Sequence, residues 1–355
     1  MNKLMTLSFM TILIGVFLLG FILPDESISF SERRPLVDKP EFNGDNILSG
    51  EYFEDLEKYF LDHMPLRERF KSIKANLELH VFKKSDINDM YVYEDHLIKI
   101  EYPYNPVMGQ RFVDYVETIK DMYLKENKVY LSIIPDKNYF GPDHALKLDY
   151  DQMIEDIKAG EYTYLDLFSV LELEDYYLTD PHWKQENLDK VVDLLSKKMN
   201  FEMSTLDYEI QSFDRFFGAY AGQSSISSNS ESLKYLYHES MKDIEVFNYE
   251  LNDYINLYNQ DALEGIDPYD IFVGGASPLI EIINEDASSD KELIIFRDSF
   301  SSALAPLLTQ SYSKITLVDT RYINHDYLDN FIEFNDQDVL FLYSTLVVNN
   351  SVMLK

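Results

Sequence analysis

Residues 292–300 read ELIIFRDSF, in which an apolar run is followed by a polar turn and then by residues with helical spacing. Other short apolar runs have the same character, and helical patterns separate them: 127–134 (NKVYLSII), 314–318 (KITLV) and 338–343 (DVLFLY). Short apolar strands that alternate with helices are typical of a mostly parallel sheet covered on both faces. The sequence therefore predicts an α/β fold over residues 86–355.

Further elements follow from hydrophobic spacing. Residues 90–100 predict a hairpin that turns at Glu94 and Asp95. Helices are expected at about 51–64, 66–80, 109–125, 150–158, 181–199, 300–310 and 326–334, and a short strand at 162–166. Residues 204–275 show the least regular pattern and include a serine-rich run, 224–232, so we expect an irregular insertion there with a flexible loop.

Ser299 lies where the strand at 292–297 feeds the following helix. Sites in open α/β sheets form beyond the carboxyl ends of the strands, and backbone N–H groups at the start of the next helix can stabilise an oxyanion. This position suits a nucleophilic serine. The ordinary alternative is that Ser299 only caps the helix. Asp298 likewise predicts either a cap or a residue that holds the turn.

The string Asp180-Pro181-His182-Trp183 contains the only tryptophan of the chain. Thr179 or Asp180 is a good helix cap and Pro181 suits the first helical position, so a purely structural reading is available. A carboxylate two residues before an imidazole can also fix the tautomer of that imidazole and leave Nε2 free to act as a base. With Ser299, these residues supply a nucleophile, a base and an orienting acid.

The N-terminus carries an apolar segment without charge, residues 4–23 (LMTLSFMTILIGVFLLGFIL). Twenty such residues match the thickness of a bilayer core. Lys3 precedes the segment, whereas Asp25 and Glu26 follow it, and this charge step predicts a cytoplasmic N-terminus with the bulk of the chain outside. Residues 1–24 are therefore expected to anchor the chain in the cell membrane, and residues 25–85 to form an extended segment and helices. The alternative is a cleaved signal peptide and a secreted protein.

Composition excludes several classes of function. The net charge of −32 disfavours nucleic acid as a partner, because an acidic surface repels phosphate. The absence of cysteine rules out disulfides and thiolate chemistry. Asp180 and His182 alone supply too few ligands for a metal site, and no cofactor is expected. The 27 tyrosines could stack on sugar rings, although half-buried packing is their commoner use.

At this point the residues resemble a known family. Asp180-Pro181-His182-Trp183 resembles the motif that gives the DHHW family its name, with proline in place of the first histidine. Three other segments resemble family motifs: Ser31-Glu32-Arg33-Arg34-Pro35-Leu36, the segment from Gly50 to Arg67 with Tyr59, Asp62 and Pro65-Leu66-Arg67, and Ile134-Pro135-Asp136-Lys137-Asn138-Tyr139. The likeness extends over nearly everything after the apolar N-terminal segment.

The resemblance implies an SGNH-hydrolase-like domain similar to that of the AlgJ and AlgX type of alginate O-acetylation proteins. In that wider group an Asp-x-His pair and a distant serine form the catalytic triad. Carried over to this chain, Asp180 orients, His182 is the base and Ser299 is the nucleophile. The order differs from that of ordinary SGNH hydrolases, in which the serine comes first, and Arg297 stands where the glycine of a Gly-Asp-Ser block is usual.

Weaker candidates surround this triad. Lys137, Tyr139, Arg297 and Arg321 are candidates for substrate binding, although a solvated Lys137 and a salt-bridged Arg321 are the ordinary readings. Gly218 and Asn349 are weak candidates for the oxyanion site.

The combined expectation is an extracytoplasmic serine acyl-ester enzyme that transfers acetyl groups to, or removes them from, a cell-surface or secreted polysaccharide. Its partners would be that glycan and the polysaccharide export or acetylation machinery. The alternative is a catalytically silent carbohydrate-binding or scaffold component of such an assembly.

Overall fold

The computed structural model of the chain describes residues 2–20, 22–29, 32–226 and 230–355. These residues form two compact units. The first comprises the described residues within 1–88 and 219–229, and the second comprises Asp89–Gly218 and Ser230–Lys355.

The α-helices of the described residues are, in chain order, α1 (Asn2–Leu19), α2 (Gly44–Ser49), α3 (Glu51–Asp62), α4 (Arg67–Asn76), α5 (Pro106–Tyr123), α6 (Tyr150–Ile157), α7 (Asp189–Met199), α8 (Ala219–Ser224), α9 (Ser301–Leu308) and α10 (Thr345–Asn349). The strands are β1 (Ile28–Ser29), β2 (Arg34–Pro35), β3 (Met90–Tyr93), β4 (His96–Lys99), β5 (Val129–Ile134), β6 (Thr163–Leu165), β7 (Glu209–Phe216), β8 (Glu231–Tyr237), β9 (Glu245–Asn248), β10 (Asp253–Ile255), β11 (Leu279–Ile283), β12 (Glu292–Arg297), β13 (Lys314–Val318) and β14 (Asp338–Ser344).

The second unit is built around a sheet of eight described strands in the order β10-β9-β11-β13-β12-β14-β5-β6. The five strands from β13 to β6 pair in parallel, and β11, β9 and β10 extend the sheet by antiparallel pairing. The α/β class and the mostly parallel sheet expected from the sequence are confirmed. Every residue of β5 and β14 is buried, as expected for parallel strands covered on both faces.

The two faces of the sheet belong to two apolar clusters. Leu293 and Ile295 of β12 pack in the cluster that includes residues of α7 and α9, whereas Ile294 and Phe296 pack in the cluster that includes residues of α5 and α6. Successive strand residues point to opposite faces, so a run of four apolar residues serves both layers. The stretch 292–296 therefore contributes apolar side chains to both layers that cover the sheet.

Most predicted elements lie close to those observed, and the hairpin of β3 and β4 turns at Glu94 and Asp95 in left-handed conformation (φ of 48° and 64°). Two helices differ from the prediction. The predicted helix at 326–334 is a 3₁₀-helix, His325–Asn330. The predicted helix at 181–199 begins only at Asp189, after a 3₁₀ turn at Gln185–Asn187. The reason is local: Trp183 pairs with Tyr176 in an isolated β-bridge, which holds the preceding residues in a turn.

The segment 204–275, for which the sequence indicates little regular structure, contains four of the described strands. β7 and β8 form an antiparallel hairpin, and β9 and β10 join the edge of the main sheet. Their short, alternating patterns give a weaker signal than the fully apolar central strands do. Residues 227–229 of the serine-rich run lie outside the described residues.

The first unit is held together by its sequence motifs. Arg34 donates two hydrogen bonds to the Asp62 carboxylate, at 2.8 and 2.6 Å. The Arg34 guanidinium holds the pKa of Asp62 down at about 2. Glu32 accepts hydrogen bonds from Arg67 and Lys71, both at 2.8 Å. The two N-terminal segments that resemble family motifs therefore bind one another. Ser31, the first residue of one of them, lies outside the described residues.

The expected membrane-spanning helix over residues 4–23 differs from what is observed. The apolar segment forms α1, but that helix ends at Leu19. The segment also contains two glycines, Gly15 and Gly20. Over the described residues, no helix combines the length and apolarity needed to cross a membrane. Phe21, within the predicted span, lies outside the described residues.

Candidate active site

Ser299 is presented at the carboxyl edge of the main sheet by the turn after β12. The Asp298 carboxylate fixes this turn, because it accepts the Phe300 N–H at 3.1 Å and the Ser344 N–H at 2.7 Å. Ser344 is the last residue of the neighbouring strand β14. The turn is thereby tied to the next strand, and Ser299 is left half-buried at the edge. Asp298 is thus a residue that holds the turn.

Asp180 and His182 lie in a tight turn closed by the pairing of Tyr176 with Trp183. Within it, the His182 N–H donates to Asp180 Oδ1 at 3.1 Å, so Asp180 caps a turn and does not cap a helix. The indole Nε1 of Trp183 donates to the Phe300 carbonyl at 2.9 Å. The single tryptophan therefore joins this turn to the one that carries Ser299.

The three residues singled out by the sequence form a continuous hydrogen-bonded chain. His182 Nδ1 lies 2.6 Å from Asp180 Oδ1, and His182 Nε2 lies 2.8 Å from Ser299 Oγ. Asp180 is fully buried and His182 is 9% exposed. With the Nδ1 proton held by the carboxylate, Nε2 is the ring nitrogen available to accept the Ser299 proton. The geometry is that of a serine nucleophile, its base and an orienting acid.

An aromatic contact fixes the plane of the imidazole. The Tyr269 ring stacks on the His182 ring with 3.9 Å between centroids and 9° between planes, and Phe300 packs at 4.8 Å. Tyr269 lies in a 3₁₀-helix, Pro268–Ile271, whose N-cap Asp267 accepts the Tyr269 N–H. Sequence reasoning missed Tyr269, because among 27 tyrosines nothing local sets it apart; the Asp-Pro start of a short helix is the only signal.

Two charged side chains form hydrogen bonds with the backbone that precedes Asp180, one with its carbonyl groups and the other with its N–H groups. Lys137 Nζ donates to the Tyr177 and Leu178 carbonyls at 2.9 and 3.2 Å. The Glu231 carboxylate accepts the Leu178 and Thr179 N–H groups, both at 2.8 Å, and the Thr179 hydroxyl at 2.6 Å. The peptide groups before the acid are thus held by a cation at their carbonyls and by an anion at their amides. Glu231 was also missed, because it lies at the start of β8, far away in sequence.

Lys137 is a buried lysine, 2% exposed, and not the solvated residue that is ordinarily expected. Burial lowers its pKa to about 7, although the negative charges of Asp180 and Glu231 oppose the shift. Tyr139 is half-buried, and its ring packs edge-on against Phe140, Tyr150 and Phe168. Lys137 lacks the exposure that substrate binding requires, whereas for the half-buried Tyr139 that role stays a prediction.

The two arginines proposed for substrate binding are engaged within the protein. Arg297 is fully buried and donates to the Ser302 hydroxyl at 2.5 Å and to the Gly275 carbonyl at 3.1 Å, and burial lowers its pKa. In place of the expected glycine, it braces the start of α9. Arg321 forms a two-point ion pair with Asp319, at 2.8 and 2.6 Å. The salt-bridge reading of Arg321 is the one the geometry bears out.

The structure does not support an oxyanion role for Gly218 or Asn349. The Gly218 N–H donates to the Thr179 hydroxyl at 2.8 Å, and a Cβ at this position would lie 2.2 Å from the Thr179 carbonyl carbon. Glycine is therefore required there for close backbone approach. Asn349 accepts the Asn105 N–H and donates to the Pro103 carbonyl, so both ends of its amide are used ahead of α5.

Comparison with solved structures places the fold among known ones. The chain is similar to a DHHW family protein from Eubacterium siraeum DSM 15702, with 17% identity and a TM-score of 0.59 over 74% of this chain and 92% of that one. It is also similar to Bacillus cereus PatB1 with a sulfonyl adduct, with 14% identity and a TM-score of 0.56 over 73% of this chain and 97% of that one.

A more distant similarity is to the O-acetyltransferase domain of Pseudomonas putida AlgJ, with 9% identity and a TM-score of 0.44 over 73% of this chain and 92% of that one. No protein-family model and no curated protein matches the chain. The solved structures thus bear out the resemblance drawn from the motifs. At these identities the DHHW family protein and PatB1 establish the fold alone, a mixed α/β fold with a mostly parallel central sheet that this chain shares with them.

The buried Lys137 generates a pH-dependent prediction. Its pKa of about 7 in the folded chain lies below the value of about 10.4 usual for an unfolded one, so between these values the unfolded state binds more protons. The cost of burying the charge is present in full below pH 7 and disappears as the pH rises. The free energy of unfolding of the wild type, minus that of Lys137→Met, should therefore rise by about 2 kcal/mol from pH 7 to pH 9.

Urea unfolding of the full chain, followed by the fluorescence of Trp183, measures this difference within the second unit. Lys137→Met removes the titrating group and is itself the reference at each pH. A difference that stays constant, or that falls, between pH 7 and 9 would show that Lys137 does not carry a burial cost of this kind.

Proposed function

We propose that the second unit is a serine acyl-ester enzyme in which Ser299 is the nucleophile, His182 the general base and Asp180 the residue that orients the base. One observation carries the proposal: Asp180, His182 and Ser299 meet in a single hydrogen-bonded chain although 117 residues separate the last two. Neither helix capping nor core packing requires this convergence. It gives each group the contact that its catalytic role needs.

The reaction would proceed in two halves. Ser299 Oγ attacks the carbonyl carbon of an ester while its proton passes to His182 Nε2, and hydrogen-bond donors beside Ser299 would stabilise the tetrahedral oxyanion. His182 then returns the proton to the leaving oxygen, which leaves an acyl-serine. In the second half, His182 deprotonates the acceptor hydroxyl, the acyl group passes to that oxygen, and His182 returns the proton to Ser299 Oγ as the acyl-serine bond breaks. Asp180 stabilises the imidazolium in both halves.

The acyl group we propose is acetyl, and the acceptor or donor is a polysaccharide. Support comes from the motifs that resemble those of DHHW and AlgJ- or AlgX-type proteins and from the fold shared with a DHHW family protein. PatB1, which shares the fold, carries a sulfonyl adduct, the kind of product formed when an activated protein nucleophile attacks a sulfonyl reagent. Transfer to a sugar and hydrolysis by water use the same triad and differ only in the acceptor.

The triad makes a specific prediction for single and double variants. Ser299→Ala and His182→Ala should each lower the turnover of a small acetyl ester by about 10³-fold or more, and the double variant should be scarcely worse, because the residues act as a unit. Asp180→Asn should lower the turnover by the same factor or by a smaller one. The measurement is ester turnover by the full chain, with added sugar to reveal transfer.

Ser169→Ala, on an exposed loop of the same unit, is the control and should retain full turnover. Circular dichroism establishes that each variant is folded. Full activity of a folded Ser299→Ala would remove the serine mechanism, whereas no turnover by the folded wild type would favour the carbohydrate-binding or scaffold role.

We further propose that the second unit works outside the cytoplasm. Support comes from the uncharged residues 4–23, with Lys3 before them and Asp25 and Glu26 after them. A glycan at the cell surface, and the machinery that exports or acetylates it, would be within reach of a chain at that location.

The absence of cysteine allows a direct prediction for this location. Leu251→Cys places one thiol at a residue that is 63% exposed. A membrane-impermeant maleimide should label it in intact cells that produce the full chain. Labelling only after lysis would contradict the proposal. Mass spectrometry of the N-terminus separates retention of residues 4–23 from cleavage with a new terminus between residues 20 and 35.

A further inference from the structure

The first unit exposes a continuous apolar stripe along α4 and the turn that continues it. We call this stripe the α4 stripe; its members are 43–63% exposed and are Leu66, Phe70, Ile73, Leu77 and Val81. The spacing of three and four residues places Phe70, Ile73 and Leu77 on one side of the helix, while Leu66 directly precedes α4 and Val81 ends the π-helix Leu77–Val81 that follows it. At about 100° per residue, Phe70, Ile73 and Leu77 fall within an arc of roughly 60°.

On the opposite side of the same helix, Ala75 is buried and its neighbours Lys71 and Ser72 are half-buried. Ala75, which is 2% exposed, lies well over 100° around the axis from the stripe. The α4 stripe is therefore an apolar face directed away from the most buried position of the helix. Large apolar side chains exposed in a row, and not scattered singly, mark an interaction surface.

The charge around the stripe is opposite in sign to that of the chain. Residues 67–84 hold six Lys and Arg against two Glu, and Glu32 pairs with Arg67 and Lys71, so the net charge of this surface is +3 in a chain whose net charge is −32. Arg69 and Lys74, both exposed, flank the stripe on its two sides. Basic side chains beside an apolar helix face are the composition of helices that lie in the surface of an anionic membrane.

The start of the stripe lies next to the end of the apolar N-terminal segment. Leu23 and Pro24 line the same cavity, of about 630 Å³, as Leu66 and Arg67. If residues 4–23 contact a membrane, as the proposed location outside the cytoplasm implies, the α4 stripe begins beside that contact. An acidic protein partner would also be attracted to this basic helix. Such a partner would not account for the apolar N-terminal segment that ends beside the stripe.

We propose that the α4 stripe docks on the surface of a membrane rich in anionic phospholipid, with its apolar side chains at the level of the headgroups and with Arg69 and Lys74 contacting lipid phosphates. This surface is separate from the triad, and its docking does not depend on the esterase activity. It would hold the first unit flat on the bilayer.

The cysteine-free sequence makes the test site-specific. Ile73→Cys carries an environment-sensitive fluorophore on the stripe, and Glu68→Cys carries it on another face of the same helix, where its side chain is 52% exposed. The full chain is reconstituted into vesicles of phosphatidylcholine with phosphatidylglycerol, and into vesicles of phosphatidylcholine alone. We expect a blue shift and a severalfold rise in emission at Ile73, with little change at Glu68, in the anionic vesicles only.

Adding Lys74→Glu and Arg69→Glu to the labelled Ile73→Cys chain should reverse the shift, whereas the exposed Lys198→Glu in the second unit should not. Three results would overturn the proposal. The first is an equal response at the two labelled positions, and the second is an equal response in neutral vesicles. The third is a blue shift at Ile73 in detergent, without vesicles, together with a doubled mass, which would assign the stripe to a second copy of this chain.

Discussion

The candidate site depends on one buried interaction, the 2.6 Å contact between the Asp180 carboxylate and Nδ1 of His182. A fully buried carboxylate is costly unless its hydrogen bonds are satisfied, and the imidazole edge and the His182 N–H both donate to it. The orientation of the imidazole that satisfies this carboxylate also directs Nε2 toward Ser299. The backbone before Asp180 must then be fixed, and this explains why Lys137 and Glu231 hold its carbonyls and amides from two sides.

The sheet supplies the complementary constraint. Its parallel strands end at one edge, and buried carboxylates tie these ends together: Asp298 after β12 accepts the Ser344 N–H of β14, and Asp136 after β5 accepts the Thr345 hydroxyl at 2.7 Å. Burial raises the pKa of Asp136. The serine is thus mounted at the end of a buried strand that is tied to its neighbour, while the histidine and acid come from a separate turn. Trp183 and Phe300 connect the two turns.

Much of this could be predicted from sequence, for reasons visible in particular residues. β5, β12, β13 and β14 are apolar on both faces, so their runs stand out whatever lies around them. Asp180 and His182 are close in sequence, and Ser299 follows a strand. The helix expected at Pro181 was wrong because the β-bridge between Tyr176 and Trp183 outweighs the local preference for a helix start. Tyr269 and Glu231 act through contacts that only the tertiary fold creates. Lys137 and Arg297 carry charges whose burial no local pattern reveals.

The central claim is that His182 activates Ser299, and covalent capture tests it most directly. The full chain is treated with a small sulfonyl fluoride and digested, and the site and rate of modification are read by mass spectrometry. The account predicts one rapid adduct, on the peptide that contains Ser299, and a rate that falls by orders of magnitude in His182→Ala and in the unfolded chain. An unmodified Ser299, or a Ser299 that reacts equally fast without His182, would contradict it.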